Sequence, residues 1–502
     1  MPTFLGFNTQ SLTYSFILLC YTTIYGTTYY GVLPQRIIAL TCAEQQLLNT
    51  TVACTSTTVS ELSTRRLAYL NIAYSAASFL TNGPLSRYAD LTSNRKRILL
   101  WILLGLAFDQ ISQVFTTSYV QIVLCHALAG FMGNLYITLA LLFSFIADTS
   151  NAMPNASTSD IQAQRRKDYG FAEGSVYIGV MLGPFLGGTV FKLSRSYVVP
   201  YWCSSVSSLV LFAGVFFFQP NDATTASSTM QQALLQPPAG LSEATPDGGN
   251  AALQLHDVVV ADEEAATRRK NTRTRSSIFT TWWNPFAPFV LMFCNRDRLL
   301  WSSVLLMAWM GQKGVDFLYN PFVHYEFNRG AFLIGVIATT KALSSVVSNI
   351  CCVRMFSRLK MRGETILLIG CGMLIVAYGL VGMSSNTGTG SSSRNRNPGI
   401  FFWVGVSISG LAAFVSPMIR SLVTGTVNTN SDVNPVSLLG SIAAIESFCD
   451  FAVPFVYPVA FDWLISIHKA PFIFFLGAVF YLLAGLTIVV CGKRMRRGVV
   501  ED

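Results

Sequence analysis

A chain of 502 residues with 52% hydrophobic and only 12% charged positions does not read as a soluble protein, whose charged fraction is typically about 25%. Thirty-four Lys and Arg against 25 Asp and Glu leave a formal charge of +9. That excess is scattered along the chain rather than gathered on one basic domain, which excludes nucleic acid as an expected partner.

Hydropathy divides the chain into twelve apolar stretches, six on either side of a long polar insert. Each is near the ~20 residues that a helix needs to cross a bilayer. The first covers about 12–40; no Lys or Arg precedes Arg36. It is too long, and lacks the basic start, for a cleaved leader, so a retained helix is expected. The loop after it, about 41–65, carries the sequon Asn49-Thr50-Thr51 together with Cys42 and Cys54. On an oxidising side these two thiols are candidates for a disulfide, and spacing alone leaves bridged and free states both open.

The second stretch, about 67–87, runs into GPLSRYADLTSNRKRILL, where Asp90 is followed by Arg95 and Lys96. An Asp placed there can meet the positive N-terminal end of a neighbouring helix, while the basic groups hold a gate. The third and fourth stretches cover about 98–117 and 120–147. The fourth contains His126, either a packed, hydrogen-bonded residue or a proton switch. A loop with the sequon Asn155-Ala156-Ser157 and the run Arg165, Arg166, Lys167 leads to the fifth, about 169–191.

That fifth stretch reads FAEGSVYIGVMLGPFLGG. Gly179, Gly183 and Gly187 recur every four residues with Gly188 beside them, a face that lets another helix come close. A second use of this face, as a rocking contact between two halves, follows from the first. Glu173 lies near the start of the same helix. A carboxylate inside a membrane segment costs about 2.5–3.5 kcal/mol at the centre and less at the edge, so it needs a partner, a task or an interfacial position.

The sixth stretch, about 198–218, ends the first half, and residues 1–218 are expected to form one six-helix bundle. Residues 219–285 are polar, then acidic, then basic at RRKNTRTRSS. They are expected to be a cytosolic disordered tether, with a phosphorylation-sensitive lipid-binding patch as the alternative. Residues 286–502 form the second bundle, with stretches at about 299–324, 331–356, 364–383, 399–423, 437–463 and 470–491. Lys313 and Asp316 are three apart on the seventh, a spacing that favours local neutralisation on one helix face. Lys341 lies on the eighth. Glu446 and Asp450 are one turn apart on the eleventh; either pairs with Arg420 of the tenth, or faces a cavity as a proton site.

Charge orients the chain. Of the 34 basic residues, 22 fall on connections that share a side with both termini, and eight on the opposite side. The positive-inside rule then places both termini in the cytosol. No glycine loop ends in Lys-Ser or Lys-Thr, so ATP drive is unsupported. No His and Cys have zinc-site spacing, and no βαβ unit surrounds the glycines to make a dinucleotide site. An enzyme, a metal and a cofactor are all unexpected.

The 6 + 6 layout with a polar central linker resembles the major facilitator superfamily, as does the loop around Asp90, Arg95 and Lys96. The resemblance implies an all-α membrane protein with twelve transmembrane helices in two six-helix bundles. It also implies a secondary active transporter working by alternating access around a midplane site. A narrower resemblance rests on FSFIADTS, then Glu173 and the Gly187-Gly188 pair, GQKGVDFLY, SPMIRSLV, GSIAAIESFCDF and KAPFIFFLGAVFYLLAG. These are similar to the proton-coupled folate transporter and thymic stromal cotransporter group. That likeness implies proton symport of a small organic solute, a proton-coupling role for Glu173, family roles for Asp316 and Tyr319, and solute and proton binding influenced by Arg420. It also fits a glycosylated Asn49. The partners implied are a small organic solute, protons and the lipid bilayer, in the plasma membrane ahead of a vacuolar or lysosomal one. Proton-driven efflux, and a non-transporting membrane receptor with the same fold, are the alternatives.

Overall fold

The computed structural model describes residues 3–4, 7–48, 57–92, 94–151, 158–218, 290, 292–293, 296–327, 331–359, 361–384, 399–425, 435–467 and 469–498. The glycosylation sequons at Asn49 and Asn155, Cys54 and the whole polar insert at 219–285 lie outside them. Cys42 is disulfide-bonded.

Two short extended segments, β1 (Thr3–Phe4) and β2 (Phe7–Asn8), pair antiparallel at the start of the chain. The remaining elements are helices, and they stand where the twelve apolar stretches were predicted. In the first half α1 (Thr9–Tyr29) with α2 (Leu33–Leu48) form the first span, α3 (Thr57–Thr92) the second and α4 (Arg95–Phe115) the third. The fourth is split into α5 (Tyr119–Met132) and α6 (Leu135–Asn151); α7 (Thr158–Ser194) and α8 (Val198–Phe218) follow. In the second half α9 (Arg296–Phe327) is the seventh span. The eighth is α10 (Ala331–Val347), a π-helical turn at Ser348–Cys352 and α11 (Val353–Arg358). Then come α12 (Gly363–Met383), the split tenth span α13 (Ile400–Leu411) and α14 (Val415–Gly425), α15 (Pro435–Ser466) and α16 (Ile473–Gly498).

Among the described residues nine helical stretches are long and apolar enough to cross a membrane. Those containing α1, α3 and α9 are not among the nine. α1 is rich in Thr and Tyr, and α3 and α9 carry charges. Much of that polarity is turned inward: Ser15, Tyr21 and Thr22 of α1 and Ser78 and Asn82 of α3 are buried.

Helix packing repeats with an offset of six spans. In the first half α1 packs on α7, α3 on α5 and α4 on α8; in the second α9 packs on α15, α10 on α13 and α12 on α16. The halves meet at two seams, α3 against α15 and α7 against α10, and the same offset exchanges one seam for the other. This is the signature of two structural repeats. The breaks obey it too. The fourth span breaks at Gly133, whose φ of 118° suits glycine. Asn134 restarts the helix there, its Oδ1 accepting the backbone N–H of Tyr136 at 3.0 Å. The tenth span breaks at the equivalent place, where the Phe414 N–H donates to Ser348 Oγ in the π-helical turn at 3.2 Å.

Gly179, Gly183 and Gly187 of α7 face α1, within one half. A methyl group on Gly183 would lie 2.7 Å from Gly26 Cα, whereas one on Gly188 would meet nothing within 4 Å. The contact between halves on α7 falls instead to Gly170 and Gly174, against Asn349 and Ile350 of the π-helical turn. The reason is the partner surface: Thr22, Gly26 and Thr27 make α1 narrow where the upper glycines pass. Gly183→Ala is expected to destabilise the protein by about 1–3 kcal/mol through overpacking, read as a lower thermal midpoint in detergent, while Gly188→Ala leaves the midpoint unchanged.

Candidate functional site

Asp90, expected in a loop, lies in the last turn of α3 at the α3–α15 seam. Ser437, in the first turn of α15, donates its hydroxyl to the Asp90 carboxylate. The acid thus meets the start of a helix in the other half, where a negative charge is favoured. The basic residues find partners in their own half. Arg95 pairs with Asp148 and lies over Phe145, and Lys96 lies over Phe216.

Deeper between the halves, where α7 meets α14 and α15, is a three-residue charge cluster. Arg420, on α14 just past the break of the tenth span, donates through Nη1 to Glu173 Oε2 of α7 and through Nη2 to Glu446 Oε1 of α15, each at 2.5 Å. The side chains of Arg420, Glu173 and Glu446 are 2%, 6% and 1% exposed. The guanidinium also lies 5.2 Å from the centroid of Phe143, whose ring stacks on Tyr169. Aromatic faces therefore replace water on one side of the cation. Glu173 comes from the first half, and Arg420 and Glu446 from the second. Two carboxylates share one guanidinium, so with both ionised the cluster carries one uncompensated negative charge in a water-poor site. A single proton makes it neutral.

One turn further along α15, Asp450 has a different partner from the one expected. It pairs with Lys313 of α9 at 3.4 Å and accepts the phenol hydroxyl of Tyr136 from α6. Lys313 Nζ lies 5.2 Å and 5.0 Å from the ring centroids of Tyr136 and Trp309. Asp316 pairs with Lys341 of α10. The predicted neutralisation of Lys313 by Asp316 is thus replaced by two ion pairs between helices. Sequence spacing showed only the charges on one helix, while bundle packing supplied closer ones from α10 and α15. Tyr319 packs against Phe402 and Phe474 in the core of the second half.

Sequence reasoning missed Asn82 and left His126 without a partner. Asn82 Nδ2 donates to Asn134 Oδ1 at 3.0 Å and to Ser447 Oγ at 2.7 Å, tying α3, the break of the fourth span and α15 together. His126 Nδ1 lies 3.1 Å from Asp109 Oδ1, with its ring stacked on those of Tyr74 and Tyr29. Lys313 was noticed but given the wrong partner. The signal that marks all three is a polar side chain inside an apolar stretch, which needs a partner in hydrocarbon.

Two repeats joined along exchanged seams, with charges buried between them, are the architecture of a two-bundle helical membrane protein. The family model described as Major Facilitator Superfamily matches residues 4–433, and the chain belongs to that family as a multi-pass membrane protein. It is 30% identical over 139 residues to the tetracycline resistance protein, class H, of Pasteurella multocida, and 27% identical over 135 residues to the class B protein of Escherichia coli. These matches cover 27% of this chain in each case, and 31% and 30% of the relatives' lengths. Among solved structures, the fold matches the human organic anion transporter MFSD10 (TETRAN) with a TM-score of 0.65 at 15% identity, covering 95% of this chain and 99% of that one. It matches the proton:xylose symporter XylE with a TM-score of 0.63 at 12% identity, covering 95% of each chain.

Proposed function

We propose that this protein is a secondary active transporter that moves a small organic solute by alternating access and couples it to protons by symport. The observation that carries the reading is the Glu173–Arg420–Glu446 cluster, in which carboxylates from both halves share one buried cation. When the halves separate here, Arg420 loses Glu173 and keeps Glu446. The stranded carboxylate then gains from taking a proton, which ties protonation to the facing state. The motif likeness to the proton-coupled folate transporter and thymic stromal cotransporter group supports symport. The similarity to two tetracycline resistance proteins favours efflux as the second reading.

Purified protein in liposomes, a panel of labelled organic solutes and an imposed pH gradient test the proposal. Accumulation on the alkaline side is the expected result. Accumulation on the acidic side establishes exchange against protons instead, and no proton-dependent flux of any solute leaves the receptor reading.

We place both termini in the cytosol, on the charge asymmetry of the loops, and the protein in the plasma membrane ahead of a vacuolar or lysosomal one. Asn49→Gln is then expected to remove a glycan shift, and Asn155→Gln to leave the mobility on gels unchanged. The reverse pattern inverts the topology. Cys42 is paired with Cys54 in this reading, and loss of the disulfide in Cys54→Ser, read by thiol labelling of Cys42, checks it.

A further inference from the structure

The ion pairs Lys313–Asp450 and Lys341–Asp316 differ from the buried cluster in exposure. Their side chains are 25%, 24%, 15% and 35% exposed in that order. Lys313 and Asp316 stand three residues apart on α9, a rise of about 4.5 Å, and each looks to a different helix for its partner. The rings of Tyr136 and Trp309 flank Lys313. The region therefore combines two positive charges, two negative charges and two aromatic rings, contributed by both halves, and its charges sum to zero.

That balance discriminates between solutes. An anion that takes Lys313 strands Asp450, and a cation that takes Asp316 strands Lys341. Removing one member of a partly buried pair is costly, because the other keeps its charge without its partner. A solute carrying both signs frees Asp450 and Lys341 together, one charge of each sign, and leaves the sum at zero. We propose that the transported solute is a zwitterion with an aromatic or other planar body. Its carboxylate engages Lys313, its protonated amine engages Asp316, and its ring lies against Trp309 and Tyr136.

This rests on the transporter reading, so the test measures binding alone, without a gradient. Thermal unfolding of the purified protein in detergent is followed with phenylalanine and 4-(aminomethyl)benzoate, which hold their two charges at short and long separation. The single-charge analogues 3-phenylpropionate and phenethylamine, with benzoate and benzylamine, serve as controls. At least one zwitterion is expected to raise the midpoint at a concentration about tenfold below that needed by its single-charge analogues. The double variant Asp316→Asn with Lys341→Gln removes one pair without stranding a charge, and it should erase that preference. Equal stabilisation by a single-charge analogue, or stabilisation by neither zwitterion, overturns the proposal. Failure of proton-driven flux in liposomes with zwitterion binding intact overturns only the coupling.

Discussion

Arg420→Ala is expected to abolish transport and to destabilise the protein by about 3–5 kcal/mol. The guanidinium serves both Glu173 and Glu446 at 2.5 Å, and its removal leaves two buried carboxylates with no cation between them. The loss is read as a drop in thermal midpoint and in folded protein recovered from the membrane. The triple variant Arg420→Ala, Glu173→Gln, Glu446→Gln removes the stranded charge. It should recover the fold without recovering proton-driven uptake. That separates a coupling role from a purely structural one: a bridge that only holds the halves together would regain transport when the fold returned. A normal transport rate in Arg420→Ala removes the cluster from the mechanism.

The second large effect concerns the carboxylates themselves. With Gln at position 173, Arg420 and Glu446 form a neutral pair that needs no proton; with Gln at 446, Arg420 and Glu173 do the same. Both variants are expected to fold, since each loses one uncompensated charge. Both should stop net uptake driven by a pH gradient while preserving exchange of labelled for unlabelled solute, which moves no net proton. One pH unit supplies about 1.4 kcal/mol for each proton, enough for roughly tenfold accumulation. The wild type should approach that ratio and each variant should fall to about one. Gradient-driven accumulation at the wild-type level in Glu173→Gln would transfer the proton role to Glu446, Asp316 or Asp450, and the parallel variant at 446 narrows the choice.

Much of the architecture was legible in the chain because hydrocarbon is a demanding solvent. A backbone there must close its hydrogen bonds within helices, so apolar length alone located the spans. The breaks of the fourth and tenth spans were less legible. Gly133 has many counterparts among the 37 glycines, and nothing marks residues 412–414 as a break until Ser348 of the π-helical turn reaches Phe414. The glycines of the fifth stretch announced a close contact, but a face of small residues does not name its partner. Packing assigned the upper three to α1, and the seam between halves to Gly170 and Gly174.

By itself the sequence determined that this chain lives in a membrane, that it is built as two runs of six spans, and which few charges enter those spans. Each of these follows from a free-energy cost that composition carries locally. Partner choice was decided only in the tertiary structure. Glu173 and Arg420 are 247 positions apart in the chain, and Asp450 answers to Lys313 rather than to Arg420 because α15 passes α9 one turn beyond Glu446. A buried charge must be paired, and that requirement is written residue by residue. Which charge pairs with it depends on helix rotation and crossing, and those are set by the summed packing of the bundle.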